Sequence, residues 1–268
     1  MTRTVGADDP QIACDFLAAY TDLSKARVKD AMAKGAAWLG RRRLRRAKTT
    51  LRTGDVLSFH YDPAILALNA DPAGLVEDRG RYSVWNKPPG RLCQGTLYAD
   101  HCSLLYQTER YFTPRRKVWL IHRIDREASG LVLVAHDKGA AAKLSALFRD
   151  RHMDKRYRVT VLGKMAGLEG KGRIDAPLDG REAITEYEVA RYQEDFDTTD
   201  LRVRIHTGRR HQIRRHFDGI GHPVMGDPRY GEGNKSGAGL QLTAVSLAFT
   251  CPIAGDHCHF RLDSLLLP

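Results

Sequence analysis

The sequence predicts an α+β protein: a large domain on a mostly antiparallel mixed sheet with flanking helices, preceded by a smaller α/β module. Three observations carry that reading. From residue 82 onward, short segments alternating apolar and polar residues outnumber the helical stretches and do not alternate regularly with them, which favours an antiparallel sheet over a doubly wound one. The net charge of +11 is concentrated, since residues 25–52 hold eleven Lys and Arg against one acid, Asp30. Between these regions lies the turn-rich stretch 62–80, read as a linker, so the domains are drawn as 1–66 and 67–268. With 268 residues, 42% hydrophobic and 28% charged, the chain can bury a substantial core and a small module, and its composition excludes a disordered, collagen-like or coiled-coil protein.

In the basic module, Ser24 can cap a helix whose apolar positions Val28, Ala31 and Met32 recur at helical spacing, and Gly35 is its stop signal. A basic loop follows, then a turn at Thr53-Gly54-Asp55, then a short strand through Val56, Leu57 and Phe59. A charge run is most often a solvated face, but so dense a run repels itself until an anion is brought in. A phosphate backbone supplies regularly spaced anions with favourable counterion release. Lys25, Arg27, Arg41, Arg42 and Arg43 are therefore the expected nucleic-acid contacts; no hydrophobic amphipathic face accompanies them, which disfavours a membrane surface. The segment resembles the S-four-like RNA-binding domain over about fifty residues, through Leu23-Ser24-Lys25 at the helix start, Lys34-Gly35 at its end and Gly54-Asp55 before the strand. It departs from that domain at Ala36-Ala37-Trp38-Leu39-Gly40, where a Val-x-Val-Asn-Gly hairpin is usual.

In the larger domain, strands are expected over 82–85, 131–135, 157–162, 186–189, 201–205 and 240–249. The clearest helix is capped by Asp137 and turns Ala141, Leu144, Leu147 and Phe148 inward; a second is expected to start at Arg209. No stretch approaches the roughly 18 to 20 apolar residues of a membrane span, and the N-terminus has no apolar core of signal-peptide type. Five scattered cysteines without a CxxC pair suit a reducing compartment, so the cytoplasm is the expected location. Cys251, His257, Cys258 and His259 invite a zinc reading, but Cys-x6-Cys lacks the paired short spacings of structural sites, and no metal is expected.

Three segments could carry chemistry. In IHRIDREASGLVLVAHD, residues 121–137, Asp125 sits on a loop before a strongly apolar strand, and Arg123 two residues away can hold the carboxylate ionised for work as nucleophile or base. In HTGRRHQIRRHFDGIGHPVMGDPRYG, residues 206–231, Arg209, Arg210, Arg214 and Arg215 with His211 and His216 crowd a helix whose apolar side is Ile213, Phe217 and Ile220. Arg and His in that density suit planar or phosphate groups. In MDKRYRVTVLG, residues 153–163, Tyr157 lies on a strand and could stack on a nucleobase, although an aromatic core residue is the commoner reading of a lone Tyr there.

In this order and spacing, HRIDxxxSGLxLxA, KxYxxxVxG and TGRxHQIRxHxxxxGHPxxGDxxYG resemble the RluA-type family of pseudouridine synthases over roughly residues 80–250, with Asn86-Lys87-Pro88 similar to that family's Asn-Lys-Pro strand end. The resemblance implies that Asp125 attacks a flipped uridine, that Tyr157 packs on its base, and that Arg214 pairs with the aspartate. It further implies that Arg123, with His122 beside it, fills the space the base leaves in the RNA, and that Arg209 and His211 belong to the basic RNA-binding motif. The sequence departs from the family at Ala128, where Thr is usual, at Arg91-Leu92-Cys93-Gln94-Gly95, which replaces a Leu-x-Val-His-Pro loop, and at Thr243, where His is usual.

The implied function is isomerisation of uridines in ribosomal or transfer RNA by a monomer without metal or organic cofactor. Base flipping costs a few kcal/mol, offset by phosphate contacts and stacking. Two other readings compete. A non-catalytic RNA-binding adaptor would use Asp125 only as a structural ion pair. A nucleosidase or glycoside hydrolase would need a second carboxylate, for which Glu127 is the nearby candidate.

Overall fold

A computed structural model describes residues 1–165 and 170–262, and the chain separates into two units. The first comprises Met1–Ala70 together with Gln94–Tyr111, and the second Asp71–Cys93 together with Phe112–Pro268. The single cut expected near residue 66 therefore misses an excursion: Gln94–Tyr111 belongs with the N-terminal unit. Asp100 accounts for it locally, since its carboxylate meets Arg43 and Arg45 of the basic segment, a long-range pairing without periodicity in the sequence.

In the first unit, β1 (Thr2–Thr4), β2 (Ala37–Leu39), β3 (Arg42–Arg43) and β4 (Val56–Phe59) form an antiparallel sheet in the order β1-β4-β2-β3. Helices α1 (Ala13–Ala19) and α2 (Lys25–Ala33) supply Phe16, Leu17, Val28 and Met32 to a core shared with Leu57 and Phe59 of β4. Ser24 caps α2 as expected, accepting from the Arg27 N–H. Gly35 ends it with φ 95°, a conformation that glycine adopts without strain. The stretch read as linker is partly ordered, because Asp62 accepts from the N–H groups of Ala64 and Ile65 and so caps a one-turn helix, α3 (Pro63–Leu66). Helix α4 (Leu104–Tyr111) completes this unit.

The second unit is built on a ten-stranded sheet. Its strands are β5 (Gly74–Asp78), β6 (Tyr82–Lys87), β7 (Trp119–Leu120), β8 (Ser129–Ala135), β9 (Asp154–Leu162), β10 (Lys171–Asp175), β11 (Ile184–Gln193), β12 (Thr198–Ile205), β13 (Leu242–Thr250) and β14 (His257–Arg261). The order is β10-β11-β12-β9-β13-β8-β6-β5, with β14 on β13 and β7 on β8; every pair is antiparallel except β8 with β13. The apolar run Leu131–Val132–Leu133–Val134 is buried on both faces, which is why β8 does not alternate. Gly130 lets the parallel pair form, since a Cβ there would sit 2.3 Å from the Ala244 carbonyl oxygen.

Two helices cover one core each. Helix α5 (Lys138–Arg149), capped by Asp137, buries Ala140 and Leu144 beside Leu131, Leu133 and Phe249, with Ala141, Leu147 and Phe148 partly buried against them. Helix α6 (Gln212–Gly219) buries Ile213 and Phe217 against Val159, Val161, Leu201 and Val203, while Ile220, expected inside, is exposed. It starts three residues later than Arg209, because His211 adopts the left-handed conformation at φ 53° and turns the chain into the helix. That turn is held by the buried Gln212 amide, whose Oε1 accepts from Thr207 Oγ1 and the Arg209 N–H and whose Nε2 donates to the Ile184 carbonyl.

Candidate active site

Asp125 lies on the loop between β7 and β8, where the chain leaves one sheet edge and enters a fully buried strand. Lys87, at the end of β6, fixes that loop from beneath. Its buried ammonium shares three N–H groups among the carbonyl oxygens of Pro88 (2.8 Å), Arg91 (2.8 Å), Arg126 (3.2 Å) and Ala128 (2.7 Å). Burial pulls its pKa down to about 8, which still leaves it charged at neutral pH. Cys93, within the stretch where this sequence departs from the family pattern, also packs under the site: its thiol donates to the Ile124 carbonyl. Ala128 is buried, and Thr243 bonds the Ser129 hydroxyl at 2.8 Å across the parallel pair, so these two departures close the sheet without a charged group.

The partner of Asp125 is Arg214, not Arg123. Arg214 is 2% exposed and donates from Nη1 to Asp125 at 2.9 Å, while Nε and Nη2 form a two-pronged pair with Asp227 at 2.7 and 2.8 Å. Asp227 is fully buried and also accepts from the N–H groups of Arg229 and Tyr230, contacts that hold its carboxyl below the usual range against the opposing effect of burial. Gly226 lets the chain reach this position, because a Cβ there would run into the Gly239 carbonyl. Glu127 lies 3.8 Å from the same guanidinium, and so shares the cation of Asp125. Asp125 itself keeps 24% of its side chain exposed, enough to meet a substrate.

A cavity of about 520 Å³ opens over Asp125, lined by Tyr157, His122, Arg123, Lys155, Arg209 and His211 among others. Burial and the Asp125 charge raise the Tyr157 phenol above its ordinary value, so it stays neutral and offers an aromatic face instead of a base. The His211 ring stands 3.8 Å from Asp125 and 2.9 Å from the Tyr230 hydroxyl; burial lowers its pKa, and it adds no second full cation at neutral pH. Arg123 is exposed, and Arg209 donates to the Glu182 carbonyl at the rim.

His122 differs from the expectation of an RNA contact. Its ring stacks on Phe148 at 4.4 Å and accepts the Leu133 N–H at Nε2, and burial lowers its pKa to about 3. It is a neutral wall of the cavity. Sequence reasoning missed Asp227, Lys155 and the anchoring function of Lys87. The GDxxYG motif carried the signal for Asp227.

Among the expected contacts of the basic unit, Lys25 pairs with Asp15 at 2.7 Å on an exposed surface, and Arg27, Arg41 and Arg42 are exposed. Arg43 turns inward. It pairs with Asp100 at 3.2 Å, lies over the Trp38 ring at 4.2 Å and donates to the Gly35 carbonyl, so it holds the unit together. The residues that invite a zinc reading are split by strand alternation. Cys251, Asp256 and Cys258 offer ligand atoms within 4.8 Å of one another, but the Arg79 guanidinium already reaches Asp256 and Cys258, and His259 bonds Ser246 on the opposite face.

A family model for RNA pseudouridylate synthase matches residues 81–218, which contain both Asp125 and Arg214. The chain belongs to that family. The synthase is 30% identical over 284 residues to a protein of Aquifex aeolicus (strain VF5) described as an uncharacterized RNA pseudouridine synthase, covering 92% of this chain and 88% of that one. It is 33% identical over 199 residues to the dual-specificity RNA pseudouridine synthase RluA of Yersinia pestis, covering 68% of this chain and 94% of that one. It is 27% identical to the ribosomal large subunit pseudouridine synthase D of Vibrio cholerae over 90% of this chain and 84% of that one. The human RNA pseudouridylate synthase domain containing 1 shares the fold at a TM-score of 0.59 and 20% identity, over 72% of this synthase and 85% of that chain. The protein is thus an RNA pseudouridine synthase, an isomerase whose substrate is RNA. No helix among the described residues is long and apolar enough to cross a membrane.

Proposed function

We propose that this synthase isomerises uridine in ribosomal RNA, with the target base turned out of the RNA into the cavity over Asp125. The observation that carries the reading is the Asp125–Arg214–Asp227 chain: one partly exposed carboxylate aimed at a cavity by a buried guanidinium that a second carboxylate holds from behind. In the reaction the bond from the ribose C1′ to N1 breaks, the uracil turns, C1′ joins C5, and the C5 proton leaves while N1 gains one. A single carboxylate serves attack at C1′, attack on the ring, or removal of the 2′ proton. Tyr157 packs on the freed uracil, and the cavity retains it while it turns. Arg123 fills the gap in the RNA, and Arg209 with His211 line the path of its backbone. Exposed Lys25, Arg27, Arg41 and Arg42 add phosphate contacts from the basic unit.

Ribosomal RNA is favoured over transfer RNA because relatives named as ribosomal large subunit synthases match 90% of the chain, including the basic unit. Glu127 does not stand across a scissile bond from Asp125 but beside it on one cation, which argues against a hydrolase. The enzyme works as a monomer, without cofactor, in the cytoplasm. Tritium release from carbon-5 of labelled uridine in ribosomal RNA tests the proposal: the native protein should release tritium without free uracil, and Asp125→Asn should lose at least about 10³-fold in rate while still binding RNA. Free uracil would show hydrolysis, release of neither tritium nor uracil by the native protein would leave only an adaptor, and equal release by native protein and Asp125→Asn would remove Asp125 from the reaction.

A further inference from the structure

Two lysines are buried among the described residues, Lys87 and Lys155, at 0% and 6% exposure. Burial draws both down to a pKa of about 8, so each is still charged at neutral pH, but they differ in what meets the charge. Lys87 is completed from within by four carbonyl oxygens. Lys155 has no hydrogen bond and no ion pair among the described residues, and its ammonium stands 6.0 Å from the centre of the Phe148 ring. The carboxylate next to it in the chain, Asp154, bridges Arg156 (3.0 Å) and Arg204 (2.7 Å), and Arg151 adds a like charge nearby. Strand alternation sets Lys155 on the same face of β9 as Tyr157, and both line the cavity over Asp125.

An ammonium taken out of water without a partner is costly, and one held in a cavity wall is completed by whatever fills the cavity. The other cations of this wall are already engaged: Arg149 meets Asp150 at 2.9 Å and Arg151 meets Glu182. His122 beside them is neutral and accepts the Leu133 N–H. The ligand that Lys155 lacks is therefore an anion. A uracil ring offers only neutral carbonyl oxygens, whereas a phosphate carries a full charge, and a compact ammonium suits it as a point charge. Flipping turns a nucleotide about its backbone, so the phosphates on either side of the target sugar travel with it. A phosphate elsewhere in the RNA does not enter a wall this deeply buried.

We propose that Lys155 is a substrate-binding residue whose ammonium takes a phosphate flanking the flipped uridine. The inference deepens the proposed function: it rests on a uridine turned into this cavity and not on how Asp125 acts. The experiment titrates a ribosomal RNA fragment, lightly ethylated at its phosphates, with native synthase, Lys155→Met, Lys155→Arg and Asp125→Asn across a salt series. Lys155→Met should bind at least about tenfold more weakly at low salt and flatten the slope of log affinity against log salt by about 0.7, one phosphate contact. Its KM should rise more than its kcat falls, and the free protein should melt at or above the native temperature, because an uncompensated buried charge is gone. Lys155→Arg should keep the slope. Ethylation of one phosphate, 5′ or 3′ to the uridine that becomes pseudouridine, should block the native protein and make no difference to Lys155→Met. Unchanged slope and affinity in Lys155→Met would overturn the proposal, as would a lower melting temperature together with weaker binding, or an interference that is lost only at phosphates remote from the modified uridine. Unaltered binding by Lys155→Met beside an inactive Asp125→Asn strikes the Lys155 contact alone, and tritium release by Asp125→Asn strikes the reading of Asp125 alone.

Discussion

Two stretches of this chain look alike on paper: residues 25–52, with eleven cations, and residues 209–216, with four arginines and two histidines. In the folded protein they are opposites. Of the first set, Lys25, Lys34, Arg43 and Arg45 meet carboxylates, while Arg27, Lys29, Arg41, Arg42, Arg46, Lys48 and Arg52 have no ion pair among the described residues. In the second, Arg209, Arg214, Arg215, His211 and His216 each bond a protein group and only Arg210 is left to solvent. Cation density therefore has two uses here. On the basic unit it makes a surface that a polyanion completes, and around α6 it makes a scaffold completed from within that aims one carboxylate.

The comparison breaks first where α6 is most committed. Asp227→Asn leaves the buried Arg214 guanidinium with one carboxylate in hydrogen-bond contact in place of two, and the cost of an uncompensated buried charge is about 3–5 kcal/mol. Denaturant unfolding should show a loss of that order, and tritium release should slow more than about 100-fold as Asp125 loses its aim. Retention of both would mean that α6 is no scaffold. Lys87→Met tests the same principle one layer below. Four carbonyl oxygens lose a shared donor, so stability should fall by about 2–4 kcal/mol with slower turnover at unchanged RNA affinity.

Within the basic unit, neighbouring arginines should separate cleanly. Arg43→Gln leaves Asp100, whose pKa burial already raises, with Arg45 alone, and should cost about 1–2 kcal/mol of stability, most of it seen in unfolding rather than in RNA binding. Arg42→Gln should leave the unfolding midpoint unchanged and reduce the salt slope of RNA binding by about 0.7. If Arg43→Gln instead reduces the salt slope with no loss of stability, Arg43 reaches the RNA after all.

The same distinction explains what could be read from sequence. Strands β6, β8, β9, β11, β12 and β13, the Ser24 and Asp137 caps and the order of the motifs were legible because each is a local pattern in which period or capping chemistry decides. Helix α1 was not, since its N-cap, Ile12, has no side-chain cap, and the placement of Gln94–Tyr111 was not, since Asp100 acts across more than fifty residues. Asp125, Tyr157 and Arg214 were singled out by motif, yet the sequence also offered Arg123, two residues away, as the cation beside Asp125. Which of several cations turns inward depends on carboxylates far away in the chain, here Asp227 for Arg214 and Asp100 for Arg43.

His122 gives the smallest and most selective test, because it looks like a phosphate contact in sequence and behaves as a buried neutral ring. A residue of the first kind shows itself in salt dependence, and one of the second kind in the pH dependence of stability. Its folded pKa, about 3, lies below the ordinary value near 6.5, so between those values the unfolded chain binds the proton and the native ring does not. Its contribution is therefore full above about pH 6.5 and is lost as pH falls toward 3, because protonation at Nε2 would set two donors against each other at the Leu133 N–H. Two other histidines, His136 and His216, are lowered by burial too and act in the same direction, so the informative quantity is the difference between native and His122→Gln. Between pH 6 and pH 4 the native protein should lose stability more steeply than the variant, by up to about 1.4 kcal/mol per pH unit. Equal slopes, with a salt-dependent loss of RNA affinity in His122→Gln, would move His122 from the wall of the cavity to the RNA-facing surface.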